Sequence, residues 1–140
     1  MQRWLGKREA GFHAFSEEPD LAIEALDRAR RLSPFDPLGF LNSAGLAIAH
    51  LAARQFEQAA KWASRALSDQ PRLTNALRVK IVANAHLGRL DEARTDVNRM
   101  LVLDPGLTIT RYRALSAHYM ALEILDLYVV GLRLAGLPEG

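Results

Sequence analysis

The chain has 140 residues, of which 49% are hydrophobic and 24% are charged, a balance typical of a folded domain with its own core. Eighteen basic and sixteen acidic side chains leave a formal charge of +2, which does not favour nucleic acid as a partner. The absence of cysteine excludes a disulfide framework, a thiolate zinc site and a thiol nucleophile.

The sequence of the first third of the chain predicts two helices and a clear end to the second one. Residues 3–15 have the pattern of an amphipathic helix, and a turn at residues 16–20 follows them. In residues 21–32 the apolar side chains recur at intervals of three and four, which predicts a helix with one apolar face. Residues 33–37 contain two prolines three positions apart, and these end the helix because neither can continue it.

The middle of the chain predicts two further helix pairs. Residues 38–53 form one helix, and a turn at Arg54 leads into a second helix that begins at Phe56 and stops before Pro71. Residues 73–87 begin the next pair, whose second helix stops before Pro105. Gly88 lies between these two helices, where a helix end needs a positive φ that glycine adopts at least cost.

One spacing recurs through all three pairs. An alanine precedes a proline by twelve residues three times, at Ala22 and Pro34, Ala59 and Pro71, and Ala93 and Pro105. A period of 34 to 37 residues is typical of helix pairs that stack in series. Small side chains at the crossing allow the two helices of a pair to approach within about 8–10 Å. One pair cannot bury its apolar face alone, so neighbouring pairs must pack together.

Over residues 20–105 this pattern resembles the tetratricopeptide repeat. The residues that carry the resemblance are Phe56, Ala59, Ala66 and Pro71 in one copy and Gly88, Leu90, Ala93 and Pro105 in the next. The departures from the family pattern are Glu17, Ser43, His50, Lys80 and Asn84. The resemblance implies an all-α fold, a right-handed α-α superhelix of about three helical hairpins followed by a hydrophobic C-terminal helix. It also implies a protein-binding module.

A second resemblance covers most of the chain. The segments LSPFDPLGF, ALRVKIVANAHLGRLDEAR, MLVLDPGLT and GLRLAGLPEG look like the C-terminal region of bacterial class III adenylate/guanylate cyclase-like proteins. This resemblance implies a regulatory repeat region of a cytoplasmic bacterial signalling protein, whose catalytic residues belong to a separate upstream domain. The alternatives are the sensor region of a winged-helix transcription regulator and a free-standing repeat adaptor.

The concave side of such a stack is lined by the first helix of each pair. The predicted groove residues are Leu41, Ala44, Ile48 and Leu51 from one repeat and Asn75, Arg78, Val82 and His86 from the next. A mostly apolar groove suits an amphipathic helix or a peptide of a protein partner. The chain's own last helix is the other predicted occupant.

The chain is predicted to consist of two parts, repeats over residues 1–114 and a capping or dimerisation helix over residues 115–140. A short helix over residues 107–115 is expected, then a helix over residues 117–135 with Ser116 as its cap. This last helix is apolar on more than one face. Either both faces are buried within the chain, or one is buried in a homodimer. The self-association residues are Met120, Ile124, Leu127, Tyr128, Val130 and Leu134.

The sequence contains no group of residues that is expected to come together as a catalytic or metal-binding site. Four histidines are widely spaced, and His118 and Glu123 lie five residues apart, so they do not share a helix face. No phosphate-binding glycine loop or nucleophile elbow is present. The apolar stretch 120–135 is short and interrupted by charges, which argues against membrane insertion. We therefore expect no catalytic residue, no metal and no cofactor in this chain.

Overall fold

The computed structural model describes residues 15–140, and the predicted helix at residues 3–15 lies outside this range except for its last residue. The described residues contain no strand, which confirms the all-α prediction. From residue 19 onward the helices are α1 (Pro19–Leu32), α2 (Gly39–Ala52), α3 (Phe56–Asp69), α4 (Thr74–His86), α5 (Leu90–Leu103), α6 (Ile109–Ser116) and α7 (Leu122–Leu134).

Consecutive helices from α1 to α5 pack against one another as a series of hairpins, and α2 also packs directly on α4. Small side chains make the hairpins tight. Ala59, Ala63 and Ala66 on α3 and Ala93 on α5 are fully buried. The core between the hairpins is built by branched side chains of α2 and α4, with Leu46, Leu51, Leu77, Ile81 and Val82 fully buried. The predicted stack of helix pairs is therefore confirmed.

Two of the hairpin turns have the same backbone geometry. Arg54 and Gly88 hold equivalent places, and both have positive φ, 60° and 82°. The amide after each one donates to the carbonyl five residues back, from Gln55 to His50 and from Arg89 to Asn84, both at 2.8 Å. These bonds satisfy helix-end carbonyls that otherwise have no partner.

We expect Gly88→Ala to lower the free energy of unfolding by about 1 kcal/mol, because the alanine must hold a left-handed conformation. A methyl group at Gly88 would meet no atom within 4 Å, so the loss is purely conformational. Arg54→Gly should raise stability slightly at the equivalent turn. Urea denaturation measures both. Gly88→Asn is the control, and it should cost less than alanine because asparagine tolerates this conformation.

The final segment differs from the prediction. Ser116 does not cap the last helix; it is the last residue of α6 and is buried. The cap residue of α6 is Thr108, whose hydroxyl accepts a hydrogen bond from the Arg111 amide at 3.1 Å. Residues 117–121 form a turn, and the last helix begins at Leu122 rather than at residue 117. The turn sends α7 back across the stack, where it packs on α4 and on α6.

The C-terminal tail, residues 136–140, is part of this packing. Gly136 ends α7 with a φ of 95°, and Leu137 is buried in the core. The carbonyls of Pro138 and Glu139 then accept hydrogen bonds from the first amides of α6, those of Ile109 at 2.8 Å and Thr110 at 2.9 Å. The tail therefore supplies partners for helix-start amides that α6 cannot satisfy itself.

Candidate functional site

The candidate site is the contact between α4, which carries half of the predicted groove residues, and α7, which packs on it. The two helices approach closely at Gly131. A methyl group added there would lie 2.8 Å from Val82 Cγ1 and 3.0 Å from Val82 Cα. Only glycine permits this approach without displacing a helix.

His86 connects α7 to the α2–α3 pair. Its Nε2 donates a hydrogen bond to the backbone carbonyl of Leu127 at 2.9 Å, which places the ring proton on Nε2. The imidazole also stacks on the ring of Phe56, with centroids 4.9 Å apart and planes 9° apart. Leu127 lies one helical turn before Gly131, so the missing side chain at Gly131 leaves this carbonyl accessible.

Two tyrosines and an arginine fill the other side of the contact. Tyr112 on α6 and Tyr128 on α7 are both buried, with ring centroids 6.4 Å apart. The guanidinium of Arg78 lies over the Tyr112 ring, 5.2 Å from its centroid. Burial raises the pKa of Tyr112 to about 12 and that of Tyr128 well above its usual value, so both are neutral hydroxyls near pH 7.

The predicted groove residues separate into two groups. Ala44, Ile48, Leu51 and Val82 are buried, whereas Leu41, Asn75, Arg78 and His86 retain exposed surface. Of these eight, Val82 and His86 are brought directly against α7. Two atoms in the groove, Asn75 Oδ1 and Arg78 Nε, are buried without a hydrogen-bond partner among the described residues.

The predicted self-association residues also separate. Met120, Ile124, Leu127 and Tyr128 are buried within the chain, whereas Val130 and Leu134 are exposed at 44% and 47%. Two further leucines of this segment, which are not among the predicted self-association residues, are also exposed, Leu115 at 58% and Leu122 at 67%. The C-terminal segment therefore has a buried inner face and an outer face on which exposed apolar side chains lie among the charges of Glu123, Asp126 and Arg133.

Three of the residues that depart from the repeat pattern form contacts within the helix pairs. Lys80 Nζ lies 3.3 Å from the buried carboxylate of Asp96 on α5, so this lysine pairs helices where an apolar residue is usual. His50 Nδ1 is 2.6 Å from Gln55 Oε1 at the α2–α3 turn. Asn84 is buried near the end of α4, and its carbonyl accepts the turn bond described above.

A cavity of about 370 Å³ lies where α7 begins. Its walls come from residues 16–19, the α2–α3 turn and the connection between α6 and α7; they include Ser16, Glu17, Arg54, Tyr119, Ala121 and Glu123. The turn predicted at residues 16–20 is wrong for most of these residues, because residues 15–17 are helical and α1 begins at Pro19. Across residues 15–140, no group of three or more histidine, aspartate or glutamate side chains is placed to hold a metal ion. Within the same residues, no helix is long and apolar enough to cross a membrane.

Comparison with known proteins agrees with this architecture. Residues 44–108, from within α2 to the residue before α6, match the family model described as tetratricopeptide repeat. The match supports a tetratricopeptide repeat domain. Tetratricopeptide repeats generally mediate protein–protein interaction and are typically non-catalytic. No significant similarity to a curated protein or to a solved structure is found for the chain.

Three features of this structure were not predicted from the sequence. Gly131 sits in an otherwise apolar helix, and a lone glycine there is a signal for close helix approach. Asp96 is a charge on the inward side of α5, facing Lys80 on α4. The role of the tail at residues 136–140 depends on a chain reversal that no local pattern indicates.

Proposed function

We propose that this chain is a protein-interaction module that associates with a second copy of itself through its C-terminal segment. The observation that carries the proposal is the set of four exposed apolar side chains on that segment, which lie among the charges of Glu123, Asp126 and Arg133. Leu115, Leu122, Val130 and Leu134 are all between 44% and 67% exposed. An end of a helical repeat stack that faces only water is normally polar. An apolar end supports contact with another protein surface.

The closed part of the groove favours self-association over an external peptide. Val82 and His86 are covered by α7, so a partner helix would have to replace α7 there. Peptide binding is the second candidate, because Asn75 Oδ1 and Arg78 Nε are buried without hydrogen-bond partners in residues 15–140. A polar group of a bound peptide would satisfy both atoms.

We expect the wild-type chain to be a dimer at high micromolar concentration and Leu122→Glu to weaken it at least ~10-fold, because a charge in an apolar contact must be desolvated. Multi-angle light scattering over a concentration series measures this. The matched control is Val102→Glu on α5, which replaces another exposed apolar residue, 81% exposed, away from the C-terminal segment. A wild-type monomer at every concentration, without loss of solubility, contradicts the proposal.

For the wider context, we propose a regulatory region of a cytoplasmic bacterial adenylate cyclase-like protein, in which self-association brings two catalytic domains together. The support is the sequence resemblance of segments such as LSPFDPLGF and GLRLAGLPEG. The gene sequence upstream of Met1 tests this context. A class III cyclase domain there supports it, whereas a winged-helix domain or no further domain supports the regulator or the free-standing adaptor.

A further inference from the structure

The conformation of the connection between α6 and α7 differs from the one that its sequence favours. Residues 117–121, here called the hinge, read Ala-His-Tyr-Met-Ala and contain neither glycine nor proline. Alanine and methionine are among the strongest helix formers. The hinge nevertheless belongs to neither helix: Ala117 keeps helical dihedrals and the Met120 amide donates to the Ser116 carbonyl at 3.0 Å, but Ala121 is extended. Tertiary contacts hold it so, because Met120 is buried and its sulfur lies 3.8 Å from the Tyr112 hydroxyl.

Such a conflict between local preference and tertiary packing leaves a second conformation available. If the hinge becomes helical, α6, the hinge and α7 form one helix over residues 109–134, roughly 39 Å long at 1.5 Å per residue. In that helix α7 points away from its own α4. The α4 face around Val82 is then open, and only a helix with a small residue opposite Val82 fits it.

We propose that two copies of this chain exchange α7, so that each copy's α7 occupies the α4 face of the other. This proposal rests on the self-association proposed above and specifies how it happens. The second copy is the occupant that fits without adjustment, because it supplies the same glycine, the same carbonyl for His86 and the same tail. Exchange between identical chains recreates every closed contact and gives a two-fold symmetric dimer.

Two exposed leucines support the exchange. Leu115 and Leu122 lie on either side of the hinge and are both more than half exposed. They are seven residues apart, so in a continuous helix they lie within about 20° of one another on one face. The continuous helices of two copies would cross at their hinges and bury these leucines against each other. The structure of a single copy gives them no such contact.

Space beside the hinge removes one obstacle to this change. Tyr119 and Ala121 line the cavity of about 370 Å³, so the hinge is not densely packed on that side. The contacts that must be released are those of α7 and of the tail, which the second copy supplies again, and the contact of Met120 with Tyr112 within the hinge region, which it does not. The cost of opening is therefore regained in the dimer except for this one contact.

A disulfide distinguishes exchange from a surface contact. The chain contains no cysteine, so the double variant Val82→Cys and Gly131→Cys carries the only thiols. The two β-carbon positions are 3.1 Å apart, closer than the ~3.8 Å of an ordinary disulfide. The loss of the valine methyls removes the closest contact, but the new β-carbon still lies 3.0 Å from the Val82 Cα, so α7 must shift slightly away from α4 for the disulfide to form. The variant is oxidised at high micromolar concentration and run on a denaturing gel without reductant.

Exchange predicts a covalent dimer of twice the 15.6 kDa chain mass, because each disulfide then joins two copies. A dimer in light scattering that gives only cross-linked monomer on the gel overturns the exchange and leaves self-association intact. A monomer in light scattering that gives cross-linked monomer on the gel overturns both. The three results are therefore distinguishable.

Ala121→Pro provides a second test that does not touch the α4–α7 contact. Ala121 has φ of −61°, which suits proline, and its amide donates no hydrogen bond within the described residues. In a continuous helix the same proline removes a hydrogen bond and clashes with the preceding turn. We expect the dimer dissociation constant to rise at least ~100-fold with unchanged monomer folding. Ala121→Ser is the control, and an unchanged dimer in Ala121→Pro overturns the exchange.

Discussion

Gly131→Ala is expected to lower the free energy of unfolding by about 2 kcal/mol, and Gly131→Leu by more, because any β-carbon there overlaps α4. The added methyl would lie 3.0 Å from the Val82 Cα as well as 2.8 Å from its side chain, and backbone cannot move aside cheaply. Urea denaturation measures the loss. Fluorescence of a dye that binds apolar surface should rise as α7 separates from α4.

The matched control for this prediction is Gly39→Ala. Gly39 is also a helical glycine, but a methyl group there would meet nothing within 4 Å. Alanine is the better helix former by about 1 kcal/mol, so the control should be neutral or stabilising. Val82→Ala in the Gly131→Ala background should recover part of the loss. If Gly131→Ala behaves like Gly39→Ala, the close contact between α4 and α7 is wrong.

The second large effect is expected at the charge pair between α4 and α5. Asp96 is 4% exposed, and its carboxylate contacts Lys80 Nζ at 3.3 Å and the Arg99 guanidinium at 2.9 Å. Lys80→Met leaves a buried carboxylate with one partner fewer, which should cost about 2–3 kcal/mol. Urea denaturation at neutral pH measures this loss of stability.

Two variants separate this pair from an ordinary surface interaction. Arg99→Met removes a half-exposed partner three residues from Asp96 on the same helix, and we expect it to cost about 1 kcal/mol or less. The double variant Lys80→Met and Asp96→Leu should be more stable than Lys80→Met alone, because it leaves no buried charge unpaired. Equal small losses in Lys80→Met and Arg99→Met would show that the carboxylate is adequately solvated.

The tail at residues 136–140 shows what a local sequence pattern cannot predict. It ends the segment GLRLAGLPEG, which carries part of the second resemblance and which the geometry of the repeats does not explain. The structure assigns the tail a structural role, because its carbonyls bind the start of α6 and Glu139 pairs with Arg133. The hydrogen bond from Arg133 lowers the pKa of the Glu139 carboxyl below its usual value. Arg133 is only six residues from Glu139, but the α6 amides that the tail binds are 29 residues away, too far to be predicted from a window of neighbouring residues.

The sequence by itself determined the hairpins. Proline and glycine positions end helices through steric and backbone effects that act within a few residues, and apolar periodicity identifies which faces are buried. For this reason the stack from α1 to α5 was predictable. Lys80 was the exception, because its partner Asp96 lies on the next helix.

Only the tertiary structure decided where the last helix lies. Local propensity favours one helix from residue 117 onward, whereas the structure breaks it at the hinge and places α7 on α4. The physical reason is that burying Met120, Leu127 and Tyr128 outweighs the helical preference of five hinge residues. That balance depends on contacts more than thirty residues apart, such as His86 with Leu127.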